Sequence, residues 1–301
     1  MQTRQLTYFL AVVDHGGFGR AAEALHIAQP SLSQAIAAFE RELGTPLFHR
    51  VGRGVVLSTS GADLVGPARD VLRSLDHAQA AVDASSSEGH LDIMATPTPG
   101  VEPLTGLLAA FAEIRPKTRL ELGVGFTPER VLEAVRTGES EIGVLGSPSP
   151  RANRGLRTIQ LEPQPLVLIS RPGDPIPPGP AVHARDMNGL RLIVPQESSL
   201  IRSAVDDMME SGDLDAIIVA EVSLRASIVP MVLGGIGQAV LASGWRELAE
   251  RAGGVVQTIL PERLLHIAVV SRESGLTPTA AAFMDLTERT ATAPGSAPDS
   301  A

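Results

Sequence analysis

Residues 21–40 read AAEALHIAQPSLSQAIAAFE. From about Phe18 to His26 the apolar residues Phe18, Ala21, Ala22 and Leu25 share one helical face, and a turn follows around Ile27 and Ala28. Beyond it Leu32, Ile36, Phe39 and Leu43 step by four, three and four along a second helix. Two short amphipathic helices joined by a tight corner make a helix-turn-helix, whose motif spans about residues 18–37. Pro30 suits the first helical position, where its missing N–H costs nothing. Gln29, Ser31, Ser33 and Gln34 remain on the outward face. Their hydroxyl and amide groups can hydrogen-bond base edges, with Gln pairing bidentately to adenine and Ser tolerant of either base.

Upstream, QLTYFLAVVD (5–14) places Leu6, Phe9, Leu10 and Val13 at helical spacing, and HGG breaks the pattern. Downstream, TPLFHRVGRGVVLS (45–58) holds two apolar runs parted by VGRG, a strand pair with Gly52 and Gly54 around a protruding Arg53. A helix-turn-helix followed by a hairpin with a basic tip is a winged helix. Its second helix would enter the major groove, Arg53 would reach a phosphate or the neighbouring minor groove, and Arg50 would meet backbone phosphate.

The formal net charge of −9 does not contradict this. Residues 1–60 hold five Arg against four carboxylates, leaving 20 basic and 30 acidic residues for the rest of the chain. Screening confines exposed charges to roughly 10 Å at about 0.1 M salt, so the acidity of the remainder does not decide what the first 60 residues touch.

The run FLAVVDHGGFGRAAEALHIAQPSLSQAIAAFERELGTPLFHRVGRGVVLSTSG (9–61) resembles, without a gap, the N-terminal domain of LysR-type transcriptional regulators. Position by position the resemblance implies base contacts from Gln29, Pro30, Ser31, Ser33 and Gln34, and backbone or minor-groove contacts from Arg50 and Arg53. It further implies a homodimer or a homotetramer built as a dimer of dimers on an imperfect palindrome in double-stranded promoter DNA, a small-molecule effector, and RNA polymerase as partner. Two residues depart from the family pattern. Ala28 stands where a Ser or Thr N-cap is frequent, and Gln34 where many members carry Arg.

After the wing, Ser58–Ser60 offer an N-cap, and Leu64, Ala68, Val71, Leu75, Ala78 and Val82 recur at a 3.5-residue period. The period suggests a linker helix (59–88) that pairs with its copy; a helix lying on its own protein's core would show the same stripe. Pro67 is expected to bend it, and SSSEG to end it in a short joint.

Residues 91–291 alternate strand-like runs with helical stretches such as LTGLLAAFAEI and ERVLEAVRTG, the sign of a mostly parallel sheet. The strand candidates are LDIMA (91–95), LELGVG (120–125), EIGVLG (141–146), LVLIS (166–170), LIV (192–194), AIIVAEV (216–222), QAVLA (238–242) and HIAVVS (266–271). Strand order, LLAAF and GGIGQAV resemble the two-lobed α/β periplasmic-binding-protein-like (type 2) effector domain of the same family. The resemblance places lobe 1 at about 91–161 and 268–291 and lobe 2 at about 162–267. In open α/β folds ligands sit beyond the carboxyl ends of strands, where helix N-termini attract anions. Those places carry Thr96, Thr98, Thr127, Gln196, Ser198 and Ser199, the expected effector site, although each also suits an N-cap. Glu197 beside them would oppose an anion. The Pro that often follows the string GIG.A.L in the family is absent, Ala242 and Ser243 standing there instead.

The expected architecture is a multi-domain α+β chain: winged helix-turn-helix (1–58), linker helix, two-lobed effector domain, and a disordered tail (292–301) low in apolar content. With no Cys and only seven scattered His, no metal or cofactor is expected. No secretory signal and no 18-residue apolar run stand in the sequence, so a cytoplasmic protein with no membrane partner is expected. No P-loop, GxSxG or HExxH string supplies a catalytic carrier, and the chain is expected not to be an enzyme. The alternative is a small-molecule-binding protein or enzyme with an accessory N-terminal helical domain.

Overall fold

The computed structural model describes residues 1–51, 54–82 and 89–292, with only the backbone of Arg50 and of residues 76–82. The wing tip with Arg53, the joint at 83–88 and the chain beyond Thr292 lie outside the described residues, as do the side chains of Ala78 and Val82.

The head begins with α1 (Thr3–Asp14), α2 (Phe18–Ala24) and α3 (Gln29–Leu43). Gly16 at φ 63° makes the first turn, a conformation glycine adopts at no steric cost. Helix α2 is shorter than its apolar pattern: Leu25 ends it and His26 turns the chain at φ 54°. Leu6 and Phe9 of α1, Ala21 of α2, and Leu32, Ile36 and Phe39 of α3 are almost wholly buried together, as the spacing of the apolar residues dictates. Pro30 is the second helical residue rather than the first, a position that equally needs no N–H.

Strands β1 (Phe48–Val51) and β2 (Gly54–Leu57) pair antiparallel, Phe48 opposite Leu57. Phe48 packs its ring 5.4 Å from Phe9 and 5.7 Å from Phe18, fastening the hairpin to the helices. Glu40 on α3 accepts hydrogen bonds from the backbone N–H groups of Leu47 (2.7 Å) and Phe48 (3.1 Å). The wing's root is therefore set relative to α3 by a side chain of α3.

Helix α4 (Thr59–Val82) continues through Pro67. Ser58 caps it, its hydroxyl accepting from Gly61 N–H at 2.9 Å. Val65 and Ala68 are buried in the head's core, with Leu64 and Leu72 packed against it, while Val71 and Leu75 are exposed. This corrects the pairing stripe at one position: Ala68, 1% exposed within its own chain, has no surface to offer a second copy.

The remaining chain forms an eleven-stranded sheet system in two lobes. Lobe 1 holds β3 (His90–Ala95), β4 (Arg119–Val124), β5 (Ile142–Ser147), β6 (Leu156–Gln160) and β13 (Leu264–Arg272), with α5 (Leu104–Ile114), α6 (Pro128–Arg136) and α10 (Pro278–Thr292). Lobe 2 holds β7 (Gln164–Ser170), β8 (Ala181–His183), β9 (Arg191–Pro195), β10 (Ile217–Val222), β11 (Gln238–Ala242) and β12 (Val255–Leu260), with α7 (Leu200–Glu210), α8 (Ile228–Leu233) and α9 (Arg246–Arg251). The chain crosses between lobes at 161–163 and 261–263. The sheet is mixed rather than mostly parallel. β3 runs parallel to β4 and β5, and β9 to β10 and β11, but β7 and β13 meet each other and their other partners antiparallel. A chain that leaves one lobe and returns must traverse the waist in opposite directions, and β7 and β13 are those two passages. The core of lobe 1 includes Phe111 edge-on to Phe283, centroids 5.5 Å apart.

Candidate functional site

Gln29, Pro30, Ser31 and Gln34 lie exposed on the first turns of α3, and Ser33 is half-buried beside the inward Leu32. No acidic residue stands in that first turn, and the N-cap Ala28 supplies no side-chain acceptor. The helix therefore presents its positive end with amide and hydroxyl side chains around it, an arrangement suited to a phosphate and adjoining base edges. The backbone of Arg50 pairs with Val55 in the wing.

The linker helix is tied to both ends of the molecule. Arg69 pairs with Asp14 of α1 and reaches Thr137 Oγ1 (3.4 Å) and Glu139 (3.8 Å) of lobe 1. Arg73 donates to Gly138 O at 2.5 Å and to Asp70 at 2.7 Å. Asp70 also accepts two hydrogen bonds from Arg272, at 2.6 and 2.8 Å, at the end of β13. Burial alone would raise the pKa of Asp70, but the hydrogen bonds and charges of Arg272 and Arg73 together outweigh it and hold it below the ordinary carboxylate value. A depressed carboxylate stabilises the fold above its unfolded pKa and loses that contribution as pH falls through the folded one, so this strap stays closed until below the usual carboxylate range. Asp70→Asn is expected to loosen the head from the α/β domain at neutral pH, raising the radius of gyration in small-angle scattering. An unchanged scattering profile would show that the strap does not hold the two parts together.

Between the lobes lies a narrow cleft, open to solvent. Thr96, Thr98, Ser198 and Ser199 line it, with Phe126, Pro128 and Leu265 as apolar wall. Thr127 and Gln196 are not in the lining. Thr127 caps α6, accepting from Arg130 N–H at 3.2 Å, and Gln196 donates to Ser198 Oγ at 3.0 Å. Thr96 accepts from Gly146 N–H at 3.3 Å, and Ser199 caps α7, accepting from Ile201 N–H at 3.2 Å. Glu197 is exposed and outside the lining.

One lining residue was not legible as such in the sequence: Arg225, on the short 3-10 helix Arg225–Ser227 that joins β10 to α8. Burial pushes its guanidinium down to about 10, and its Nη1 is buried with no hydrogen-bond partner among the described residues. The only signal for it in the sequence is a lone Arg in an otherwise uncharged strand-to-helix turn, VSLRAS. Where the family's frequent Pro is missing, a 3-10 helix Ser243–Trp245 follows β11, and Gln164 closes the waist by donating to Glu102 O (2.9 Å) and accepting from Gly244 N–H (3.3 Å).

Among the described residues no cluster of His, Asp and Glu could hold a metal ion, and no helix is long and apolar enough to cross a membrane.

Residues 3–62 match the family model described as bacterial regulatory helix-turn-helix protein, lysR family, and residues 84–292 match that of the LysR substrate binding domain. The nitrogen assimilation regulatory protein nac of Klebsiella aerogenes is 30% identical over 292 residues, covering 95% of this chain and 94% of that protein. The HTH-type transcriptional regulator IlvR of Caulobacter vibrioides is 30% identical over 310 residues, covering 99% and 100%. Among solved structures, a full-length single-substitution variant of OxyR from Pseudomonas aeruginosa aligns with a TM-score of 0.66 at 21% identity, over 96% of this chain and 94% of that one. CbnR, a LysR family transcriptional regulator, aligns with a TM-score of 0.64 at 22% identity, over 97% and 99%; full-length CbnR in complex with its target DNA aligns with a TM-score of 0.56.

Proposed function

The chain belongs to the LysR family of transcriptional regulators, and we propose that its α3 reads bases through Gln29, Pro30, Ser31, Ser33 and Gln34 while Arg50 and Arg53 hold the DNA backbone or minor groove. The chain acts as a DNA-binding regulator whose output is modulated by a small molecule in the cleft of its C-terminal domain. Its operator is an imperfect palindrome read by two heads of a homodimer, or of a homotetramer built as a dimer of dimers, because paired heads read half-sites at helical-turn spacing. Val71 and Leu75 of α4, and Leu120, Leu122 and Val124 along the unpaired edge strand β4, are the exposed apolar surfaces that self-association would cover. The site of action is the cytoplasm, RNA polymerase is the downstream partner, and catalysis has no part in this reading.

The observation that carries the mechanism is the course of β13. Leu265 near its start lines the cleft, and Arg272 at its end grips Asp70 of the linker helix. An effector that changes the lobe angle would thereby change the pose of α4 and the separation of the two heads. It must favour one head spacing over the other, since equal affinity for both shifts nothing. Footprints of the protein on its own upstream DNA, with and without effector, test this. Unchanged footprints at saturating effector would overturn it.

Phosphate neutralisation makes affinity fall linearly with salt on logarithmic axes. Arg53→Ala is expected to reduce that slope by about one unit per head while weakening all sequences alike, as read by fluorescence anisotropy across a salt series. An unaltered affinity and slope would remove the wing from the interface.

A further inference from the structure

Glu40 on α3 is half-buried, and among the described residues its carboxylate is hydrogen-bonded to two backbone groups outside its own helix. Leu47 and Phe48 both donate to the same oxygen, Oε1, at 2.7 and 3.1 Å. Leu47 is 1% exposed, so its N–H has no water to turn to if that acceptor goes. The other side of the same turn is tied to the start of α4. Ser58 Oγ donates to Pro46 O at 2.6 Å, Ser58 N–H donates to Leu47 O at 2.9 Å, and the hydroxyls of Thr45 and Ser60 share a hydrogen bond of 3.1 Å. Take Glu40 away and the polar ties of this turn among the described residues lead to α4, none to α3. Phe48 begins β1, the strand that carries Arg50. Gln29 lies on the same rigid helix as Glu40, about 16 Å along its axis at about 1.5 Å per residue.

We propose that Glu40 is a positioning residue for DNA binding: its carboxylate fixes the root of the wing to the helix that reads bases, so that α3 and the wing meet DNA in one set geometry. This rests on the reading of α3 and the wing as the DNA-contacting surface. Charge alone predicts the opposite sign, which makes the role separable. A carboxylate repels phosphate, so its removal by itself should tighten binding. Loss of the acceptor should weaken binding, because the wing then follows α4 and leaves its register with α3. Glutamine removes the charge but keeps an amide oxygen with two lone pairs, and one oxygen is all that Leu47 and Phe48 use. Methionine removes both charge and acceptor while keeping an unbranched side chain and good helix propensity.

Two full-length variants, Glu40→Gln and Glu40→Met, test this through salt-series anisotropy on the protein's own upstream DNA and through hydrogen exchange without DNA. Glu40→Met is expected to bind about 5- to 10-fold more weakly per head at about 0.1 M salt, with the slope smaller by about one unit per head, the worth of one phosphate contact. Its Leu47 and Phe48 amides should exchange about tenfold faster or more. Glu40→Gln should bind at least as tightly as the parent, with the parent's slope and protection. In the Glu40→Met background, Arg53→Ala should cost little further affinity, because the two changes remove the same contact. Glu40→Met binding like Glu40→Gln, Glu40→Gln failing like Glu40→Met, or full additivity with Arg53→Ala would each overturn the assignment. So would protection lost while affinity and slope stay at the parent's values, which would make the bonds structural only. Should Glu40→Met fail to fold, Glu40→Gln and the parent decide: weakened binding by Glu40→Gln, or unprotected Leu47 and Phe48 amides in the parent, overturns the role. Arg53→Ala without effect on the parent would overturn the wing contact instead, and the exchange data, read without DNA, would still show whether Glu40 holds the turn.

Discussion

Phe39→Ala is expected to unfold the winged head at ordinary temperature, lowering its stability by about 3–5 kcal/mol. Phe39 is completely buried at the meeting of the three head helices, in a core built from Leu6, Phe9, Leu32 and Ile36 and closed from outside by Val65 and Ala68 of α4. A head of about 60 residues has little stability to spare, because so small a domain buries only about 60% of its unfolded surface. The α/β domain has its own separate buried clusters, so its melting should persist. Calorimetry should show an early transition lost while a later one remains, with operator binding abolished in mobility-shift assays. A variant that still binds the operator like the parent would mean that the cavity had collapsed at little cost.

Gln29→Ala is expected to lower operator affinity about 5- to 150-fold, equivalent to about 1–3 kcal/mol for a bidentate base contact, and to relax preference at the base pair it reads. Gln29 is exposed, and Ala is a good helix former, so the fold should be unaffected. The salt slope should not change, because a neutral amide displaces no counterion. The pair Gln29→Ala and Arg53→Ala thus separates base readout from backbone attraction: one changes specificity at constant slope, the other slope at constant specificity. Anisotropy titrations on single-base operator variants distinguish them, and equal losses on every variant for Gln29→Ala would place that residue off the bases.

The helix-turn-helix was legible because its information is local: Leu32, Ile36 and Phe39 repeat at helical spacing and are buried as that spacing requires. Strands with continuous apolar runs were legible for the same reason. Strand β12 escaped notice because Gln257 and Thr258 interrupt its run; Gln257 is nonetheless buried, its amide satisfied by Pro177 O at 2.8 Å and Gly179 O at 2.9 Å. Strands β6 and β8 are short and mixed in polarity. Strand direction was not legible at all, since pairing is decided by partners far apart in the chain. The linker misled in an instructive way. A 3.5-residue stripe does not say which body it faces, and Leu64 and Ala68 face their own head while Val71 and Leu75 face outward. For the cleft, hydroxyl residues at strand ends included four that line it, Thr96, Thr98, Ser198 and Ser199, but gave no means of separating them from the cap Thr127. Arg225 is a single residue in a short turn and carries no pattern.

Strand β13 is hydrogen-bonded along its length, to β7 at its start and to β5 and β6 beyond, so it can neither stretch nor slip without breaking three ladders. From Leu265 to Arg272 it spans roughly 23 Å at about 3.3 Å per residue. On the proposed mechanism it behaves as a push-rod, and the stiffness of its middle, where Ala268 and Val269 are buried, sets how much of a movement at one end arrives at the other. Sensitivity of transcription to the small molecule can then evolve as a gain setting, adjusted at positions that touch neither the ligand nor the DNA.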